Sequence, residues 1–387
     1  MLKQPEAWKR LAPRFVPEQP RKILSLDGGG IRGLITLRVL KRIEQIVKEQ
    51  TGTLRLCDYF DYIGGTSTGA IIAAGLALGK TVDEILSFYK EAGAMMFDEA
   101  SVFERWLRSS YKADPLIKRL QKEYGAGTTL SPDDLECLLL IVTRNATTDS
   151  PWPVSSNPDA RYCATDRPDC NLRVKLWQLV RASTAAPTFF PPEVIQWDKK
   201  DVKKSFVFVD GGTTPYNNPA FLLYRMATLE PYNLQWQRGE QNLLIISVGT
   251  GAAPGRAQEI RSPEWNKLMN VKELVGTLMY SAMVDQDINC RTLGHCTHGD
   301  EIDREIGDLC PKVPATTDLG RAFLYARYNA ELTEAGLARI GCGNIDPGRV
   351  RELDAVAAME QLITIGDAVA ATVDAAHFGT FLGKTRP

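Results

Sequence analysis

Ser67 is the residue in this chain best placed by sequence to do chemistry. It lies in the run Tyr62-Ile63-Gly64-Gly65-Thr66-Ser67-Thr68-Gly69-Ala70. Gly65-x-Ser67-x-Gly69 is the nucleophile-elbow pattern. Tyr62 and Ile63 read as part of a buried strand, and Ala70-Ile71-Ile72-Ala73-Ala74 reads as a buried helix. A serine at so sharp a strand-to-helix turn is held in strained backbone, and small neighbours leave it room. Its hydroxyl then stands at a helix N-terminus, where the positive dipole end favours developing negative charge.

A serine hydroxyl needs a base. Histidine is the usual one, but the chain has only His295, His298 and His377, and none sits at a recognisable strand end. Asp210 follows the apolar run Phe206-Val207-Phe208-Val209 and precedes Gly211 and Gly212. A carboxylate can replace histidine when burial raises its pKa towards the working range. On the residues alone, Asp210 reads equally well as a turn residue that ends a strand.

A third motif, Asp27-Gly28-Gly29-Gly30-Ile31-Arg32-Gly33, follows the short apolar strand Lys22–Leu26. Gly28-x-Gly30-x-x-Gly33 has dinucleotide-binding spacing, which calls for an acid about 20 residues on, at the end of a second strand. Glu44 and Glu49 fall inside an apparent helix instead, and the next strand leads to Ser67. Consecutive backbone N–H groups at a helix start can instead hold an oxyanion. Arg32 would add charge or hold that loop in shape; its bland alternative is a solvated residue at a helix start.

These motifs need a frame. Leu34, Leu37, Leu40, Ile43 and Val47 recur near helical spacing, and residues 59–64, 136–143, 206–209 and 243–248 read as further strands. Segments 82–96, 101–109, 115–124 and 174–186 read as helices. Residues 144–171, rich in Pro, Asp, Asn, Ser and Thr, read as a long loop or a variable insertion that could cover a site. Strands alternating with helices predict an α/β fold with a mostly parallel sheet and helices on both faces. Sites in such sheets form at the carboxyl ends of strands. Asp27, Ser67, Asp210 and Gly249 all lie at such ends. Strand signals fade after residue 262, and 264–294 and 318–376 read as an all-helical C-terminal region. Residues 1–20, polar and Pro-rich, read as a loose leader.

Bulk properties narrow the function classes. The 387 residues are 44% hydrophobic and 24% charged, with net charge -1. That is an ordinary globular composition and argues against a general nucleic-acid binder. No apolar run reaches the roughly 20 residues of a membrane span, and the first residues lack the apolar core of a secretion signal. The expectation is a cytoplasmic protein. Eight cysteines are scattered, as reduced thiols commonly are. Cys290, His295, Cys296, His298 and Cys310 are zinc-ligand types, but their spacing matches no paired knuckle, which favours a polar loop with buried thiols.

Taken in order, Asp27–Gly33, Gly65–Gly69, Ala182-Ser183-Thr184-Ala185-Ala186-Pro187-Thr188-Phe189-Phe190-Pro191-Pro192, Asp210-Gly211-Gly212 and Ser247-Val248-Gly249-Thr250-Gly251 resemble the patatin-like phospholipases over about residues 20–255. The resemblance implies a three-layer sandwich: a catalytic domain at 21–255 after a 1–20 leader, with a helical region at 256–387 packed on it or continuous with it. It implies a Ser-Asp dyad, with Ser67 as nucleophile and Asp210 as base. The oxyanion hole would come from Gly28, Gly29 and Gly30 with Arg32 close by, and no metal or cofactor takes part. The reaction would be hydrolysis of fatty-acyl esters of membrane phospholipids, at the membrane surface.

The C-terminal run Tyr280–Asp287, with Arg327-Tyr328-Asn329, is similar to bacterial patatin-like effectors of anti-phage signalling that cyclic nucleotides activate. A cyclic dinucleotide would then open access to Ser67 or drive oligomerisation. Arg291, Arg304, Arg321 and Arg327 are candidate phosphate contacts. Three alternatives stand beside this reading. One is a constitutive lipid esterase. Another is a Ser-Asp-His hydrolase using His295 or His298. The last is a nucleotide-binding module whose glycine loop holds only phosphate.

Overall fold

The computed structural model describes residues 2–15, 18–97, 115–187, 190–252, 267–302 and 320–383. The proposed helix at 101–109, together with Phe103, Trp106, Phe189, Arg304 and Cys310, lies outside them.

Strands β1 (Arg21–Leu26), β2 (Tyr62–Thr66), β3 (Leu138–Asn145), β4 (Ser150–Ser155), β5 (Glu193–Gln196), β6 (Ser205–Asp210), β7 (Leu243–Val248), β8 (His295–His298) and β9 (Leu324–Tyr328) form one sheet. Its order is β5-β6-β3-β2-β1-β7-β9-β8, with β4 also paired to β3. From β3 to β8 the pairs are parallel; β4, β5 and β6 join antiparallel. Every residue of β1, β2 and β7 is buried, as strands covered on both faces must be.

The period-2 alternation of side chains sorts the core into two layers. Leu24, Leu26, Ile246 and Val248 face helices α1 (Gly33–Thr51), α2 (Thr68–Ala77), α5 (Leu176–Ser183) and α8 (Met359–Ala370). Ile23, Leu138, Leu140 and Ile245 face α6 (Ala220–Thr228) and the N-terminal segment. Helices α3 (Val82–Phe97) and α4 (Pro115–Tyr124) complete the first layer, and α7 (Lys267–Leu293) leads into β8. All ten residues of α2 are buried, which explains why it is apolar all round rather than on one stripe.

Three expectations need correction. The N-terminal segment is not loose: Trp8 is fully buried, its indole N–H donates to Asp159 (3.0 Å), and Arg14 donates to the carbonyls of Cys57 and Phe60 (both 2.6 Å). The region 144–171 is not all loop, because 150–155 form β4 against β3. Pro151 and Pro153 hid it, although proline is tolerated where a strand has a free edge. The C-terminal region has helices but also supplies β8 and β9 to the same sheet. Polar His295, Thr297 and His298, and Arg327 within β9, masked both strands.

Among the described residues no single helix is long and apolar enough to cross a membrane. A bent pair, 356–370 with 375–382, has the length and composition, but Leu362, Ile365, Val369, Phe378 and Phe381 are buried in the core.

Candidate active site

β2, parallel to β3, and β6, antiparallel to it on the other side, bring Ser67 and Asp210 together. Ser67 has φ 52° and ψ −120°, a conformation that L-residues avoid, directly before α2. Close contact makes the flanking glycines obligatory. A Cβ on Gly65 would lie 2.1 Å from the Gly69 carbonyl oxygen, and one on Gly69 would lie 2.2 Å from that of Leu26. The Ser67 N–H donates to Ser183 Oγ (2.9 Å), whose hydroxyl donates to the Val142 carbonyl (2.7 Å). The elbow is thereby tied to α5 and β3.

Ser67 Oγ donates to Asp210 Oδ2 at 2.6 Å. Asp210 is paired across β6 and β3 with Thr143, one residue beyond Val142, which pairs with Thr66. Its other oxygen accepts the Gly212 N–H (2.7 Å), and its own N–H donates to the Ala185 carbonyl (2.9 Å). Burial pushes the Asp210 carboxyl up to about 6, against the hydrogen bonds from Ser67 and Gly212 that favour its ionised form. A carboxylate poised there can take a proton near neutral pH. Gly211 backs onto Val142, where a Cβ would meet the carbonyl oxygen at 2.2 Å.

The glycine loop lies alongside. A Cβ on Gly28 would be 3.2 Å from Ser67 Cβ and 2.4 Å from Asn217 Oδ1. The Gly28 N–H donates to the Asn217 carbonyl (3.1 Å), which occupies it. The N–H groups of Gly29 and Gly30 have no hydrogen-bond partner among the described residues, which leaves both available as donors. The loop carbonyls are pinned: Gly28 accepts from Thr250 Oγ1 (2.8 Å), and Gly30 accepts from Thr68 Oγ1 (2.7 Å) and the Tyr89 hydroxyl. Gly33 starts α1 with no room for a side chain, since a Cβ there would lie 2.4 Å from Thr68 Cγ2.

Arg32 is buried rather than solvated. Its Nε donates to the Gly29 carbonyl (3.3 Å) and a terminal nitrogen donates to the Arg351 carbonyl (3.2 Å). Burial lowers its pKa to about 10, so it stays charged. It braces the loop against the C-terminal region, where the Ile31 N–H also donates to the Leu353 carbonyl (2.9 Å).

Arg327 bonds both oxygens of Asp27, at 2.9 and 2.5 Å, and the hydroxyl of Ser247 at 2.7 Å. Nearby, Asp287 receives two bonds from Arg291 (3.0 and 2.8 Å) and one from the Tyr325 hydroxyl (2.9 Å). Arg291 and Arg327, named above as phosphate contacts, are thus committed to buried carboxylates, and Arg321 donates to the Thr292 carbonyl. Asn217 escaped the sequence reading. It lies between Gly28 and Gly212, and its buried Oδ1 has no hydrogen-bond partner among the described residues. An Asn217-Asn218-Pro219 run after the Asp210 turn was the only signal available.

The histidines lie elsewhere. β8, which carries His295 and His298, is four strand steps from β2, about 19 Å at 4.8 Å per step. His295 Nδ1 is 2.7 Å from Glu240, and His298 stacks on His377 (4.5 Å between rings). Cys290 and Cys296 are buried thiols, and burial raises the Cys290 pKa. Among the described residues no group of three or more His, Cys, Asp or Glu is placed to hold a metal ion.

An elbow serine, a buried aspartate and a glycine loop thus meet at one end of the sheet. The family model for patatin-like phospholipase matches residues 24–224, and the chain belongs to that family. Similar proteins include a cGAMP-activated phospholipase of Vibrio cholerae, 35% identical over 59% of this chain and 64% of its own length. Another, from Escherichia coli, is 31% identical over 60% of this chain and 63% of its own. Patatin-17 of Solanum cardiophyllum is 28% identical over 59% of this chain and 60% of its own. The matched part thus spans just under two thirds of the length of these relatives.

Proposed function

We propose that this chain is a lipid acyl hydrolase that cleaves fatty-acyl esters of membrane phospholipids. The observation that carries the reading is the 2.6 Å hydrogen bond from Ser67 Oγ to Asp210, beside a glycine loop with two amides that have no partner among the described residues. Ser67 gives its proton to Asp210 as Oγ attacks the ester carbonyl. The amides of Gly29 and Gly30 hold the oxyanion. The tetrahedral intermediate collapses, and the leaving alkoxide takes the proton from Asp210. Acyl-Ser67 remains. Water then gives a proton to Asp210 and attacks the acyl carbon. The fatty acid departs and Ser67 recovers its proton. Asp210 thus serves as base and acid in turn, with no histidine in the route.

The proposal extends to control. The two bacterial relatives are named as cGAMP-activated. The same chemistry here would be switched on by a cyclic dinucleotide and serve anti-phage signalling. The contacts of Arg32 and Ile31 with residues 351–353 offer a physical route from the C-terminal region to the oxyanion loop. The test is fatty-acid release from phospholipid vesicles with and without a panel of cyclic dinucleotides. Release that rises with one member and vanishes in Ser67→Ala supports both parts. Equal release across the panel contradicts the switch, and none under any condition contradicts the hydrolase.

A further inference from the structure

We infer that the tip of the β5–β6 hairpin is the contact of this protein with an anionic phospholipid surface. The inference gives a membrane approach to the proposed lipid hydrolase and rests on that reading. β6 pairs with β3 only from Phe208, opposite Asn145, to Asp210, opposite Thr143. Asn145 is the last residue of β3. Ser205 to Val207 therefore run past the carboxyl end of the sheet, the end at which Ser67 lies. At about 3.3 Å per residue, the start of β6 stands about 10 Å beyond that edge, and residues 198–204 form the turn above it.

The turn, Asp198-Lys199-Lys200-Asp201-Val202-Lys203-Lys204, sorts its charges by direction. The acids shape the backbone: Asp198 Oδ1 accepts the Lys200 N–H and Asp201 Oδ1 accepts the Lys203 N–H, both at 2.9 Å. Asp198 is buried, whereas all four lysines are exposed. Among the described residues Lys204 alone of the four has an ion-pair partner, Asp169 at 3.5 Å. Between the lysines Val202 is 76% exposed, the most exposed large apolar side chain among the described residues. A cationic crown around a bare apolar side chain fits an anionic headgroup layer over hydrocarbon.

The tip is also rigidly mounted. Trp152 packs on Trp197, Phe206 and Phe208 with ring centroids 5.3, 4.9 and 5.4 Å apart. The Trp197 N–H donates to the Lys204 carbonyl (2.8 Å), and the Gln196 side chain donates to that of Asp198 (3.0 Å). A preformed finger loses little conformational entropy on docking.

The experiment measures sedimentation of the full chain with vesicles, in a Ser67→Ala background that leaves the lipid intact. Vesicles of phosphatidylcholine with about one third phosphatidylglycerol are compared with phosphatidylcholine alone. Attraction near an anionic surface is worth about fivefold in partitioning per lysine. The combined change Lys199→Glu, Lys200→Glu and Lys203→Glu is expected to lower binding to the anionic vesicles at least about a hundredfold. Val202→Asp is expected to weaken it further, and high salt to mimic the lysine changes. A charge-matched control, Lys48→Glu with Lys118→Glu and Lys122→Glu, is expected to keep most of the binding. In the Ser67 background, hydrolysis of a soluble short-chain ester by the hairpin variants should equal that of the parent. Unchanged vesicle binding in the triple variant, or equal binding to both vesicle types, overturns the inference. Absence of ester hydrolysis with salt-sensitive, hairpin-dependent binding retained would fault the hydrolase reading and leave the docking surface standing.

Discussion

Arg327 holds Asp27 from 300 residues away in sequence, through two hydrogen bonds inside the core. Asp27 directly follows β1 and leads into the glycine loop, whereas Arg327 belongs to β9 in the C-terminal region. Burial raises the Asp27 pKa, and the guanidinium opposes that shift by stabilising the ionised carboxylate. The pair fastens the loop beside Ser67 to the part of the chain that most departs from a simple α/β pattern.

Removing one partner exposes the cost of burying the other. Arg327→Met leaves Asp27 buried and unpaired, and is expected to cost about 3–5 kcal/mol of stability, read as a fall in the urea midpoint. The double change Asp27→Leu with Arg327→Met should recover most of that loss, because two apolar groups then replace an orphaned charge. Additive losses in the double variant would contradict this account.

The pH profile follows from Asp210. As a base it must be ionised, and its pKa is pushed up to about 6. On a soluble ester, kcat/KM is expected to reach a plateau above about pH 7 and to fall about tenfold per unit well below pH 6. A profile flat down to pH 4.5 would exclude Asp210 as the base.

The same shift makes Asp210 costly to the fold. Its pKa lies above the ordinary 3.8, so the native state binds the proton more tightly than the unfolded chain does. Stability therefore falls as pH rises from about 4 through about 6, by on the order of 2–3 kcal/mol. Asp210→Asn removes the ionised form while an amide can still meet Ser67 and Gly212. It is expected to abolish hydrolysis yet raise Tm at pH 8 relative to the parent, with no gain at pH 4. A lower Tm at both pH values would contradict the linkage.

Gly29 offers a test of the oxyanion donors. A Cβ there would lie 2.0 Å from Thr250 Oγ1, on the residue that also pins the Gly28 carbonyl. Gly29→Ala must shift the loop, and a displaced donor is worth about a hundredfold or more in kcat. Turnover of a soluble ester should drop by that factor with the fold retained by circular dichroism. Near-normal kcat would move the oxyanion donors elsewhere.

Much of this site was legible in the sequence because its parts are local. Strand β2, the elbow at Ser67 and helix α2 are encoded within sixteen residues, Tyr62 to Ala77. Glycine runs likewise marked the turns at Gly28–Gly30 and Gly211–Gly212. What depended on distant partners was not legible. No local signal says that the Gly28 amide is taken by Asn217, that Arg32 reaches Arg351, or that Arg327 is buried against Asp27. β9 was missed for the same reason, since Arg327 is satisfied by Asp27 and Ser247, and β8 because it is four residues long, polar and half-exposed.

In the proposed mechanism Asp210 activates Ser67 without a histidine. The most direct test is the rate at which acyl-Ser67 forms from a soluble ester, followed by intact mass with the acylated residue identified. Four chains are compared: the parent, Ser67→Ala, Asp210→Asn, and a variant with His295→Gln, His298→Gln and His377→Gln. Acylation at near-parent rate is expected in the histidine variant and none in the other two. Acylation that persists in Asp210→Asn, or that is lost with the histidines while the fold is kept, would contradict it.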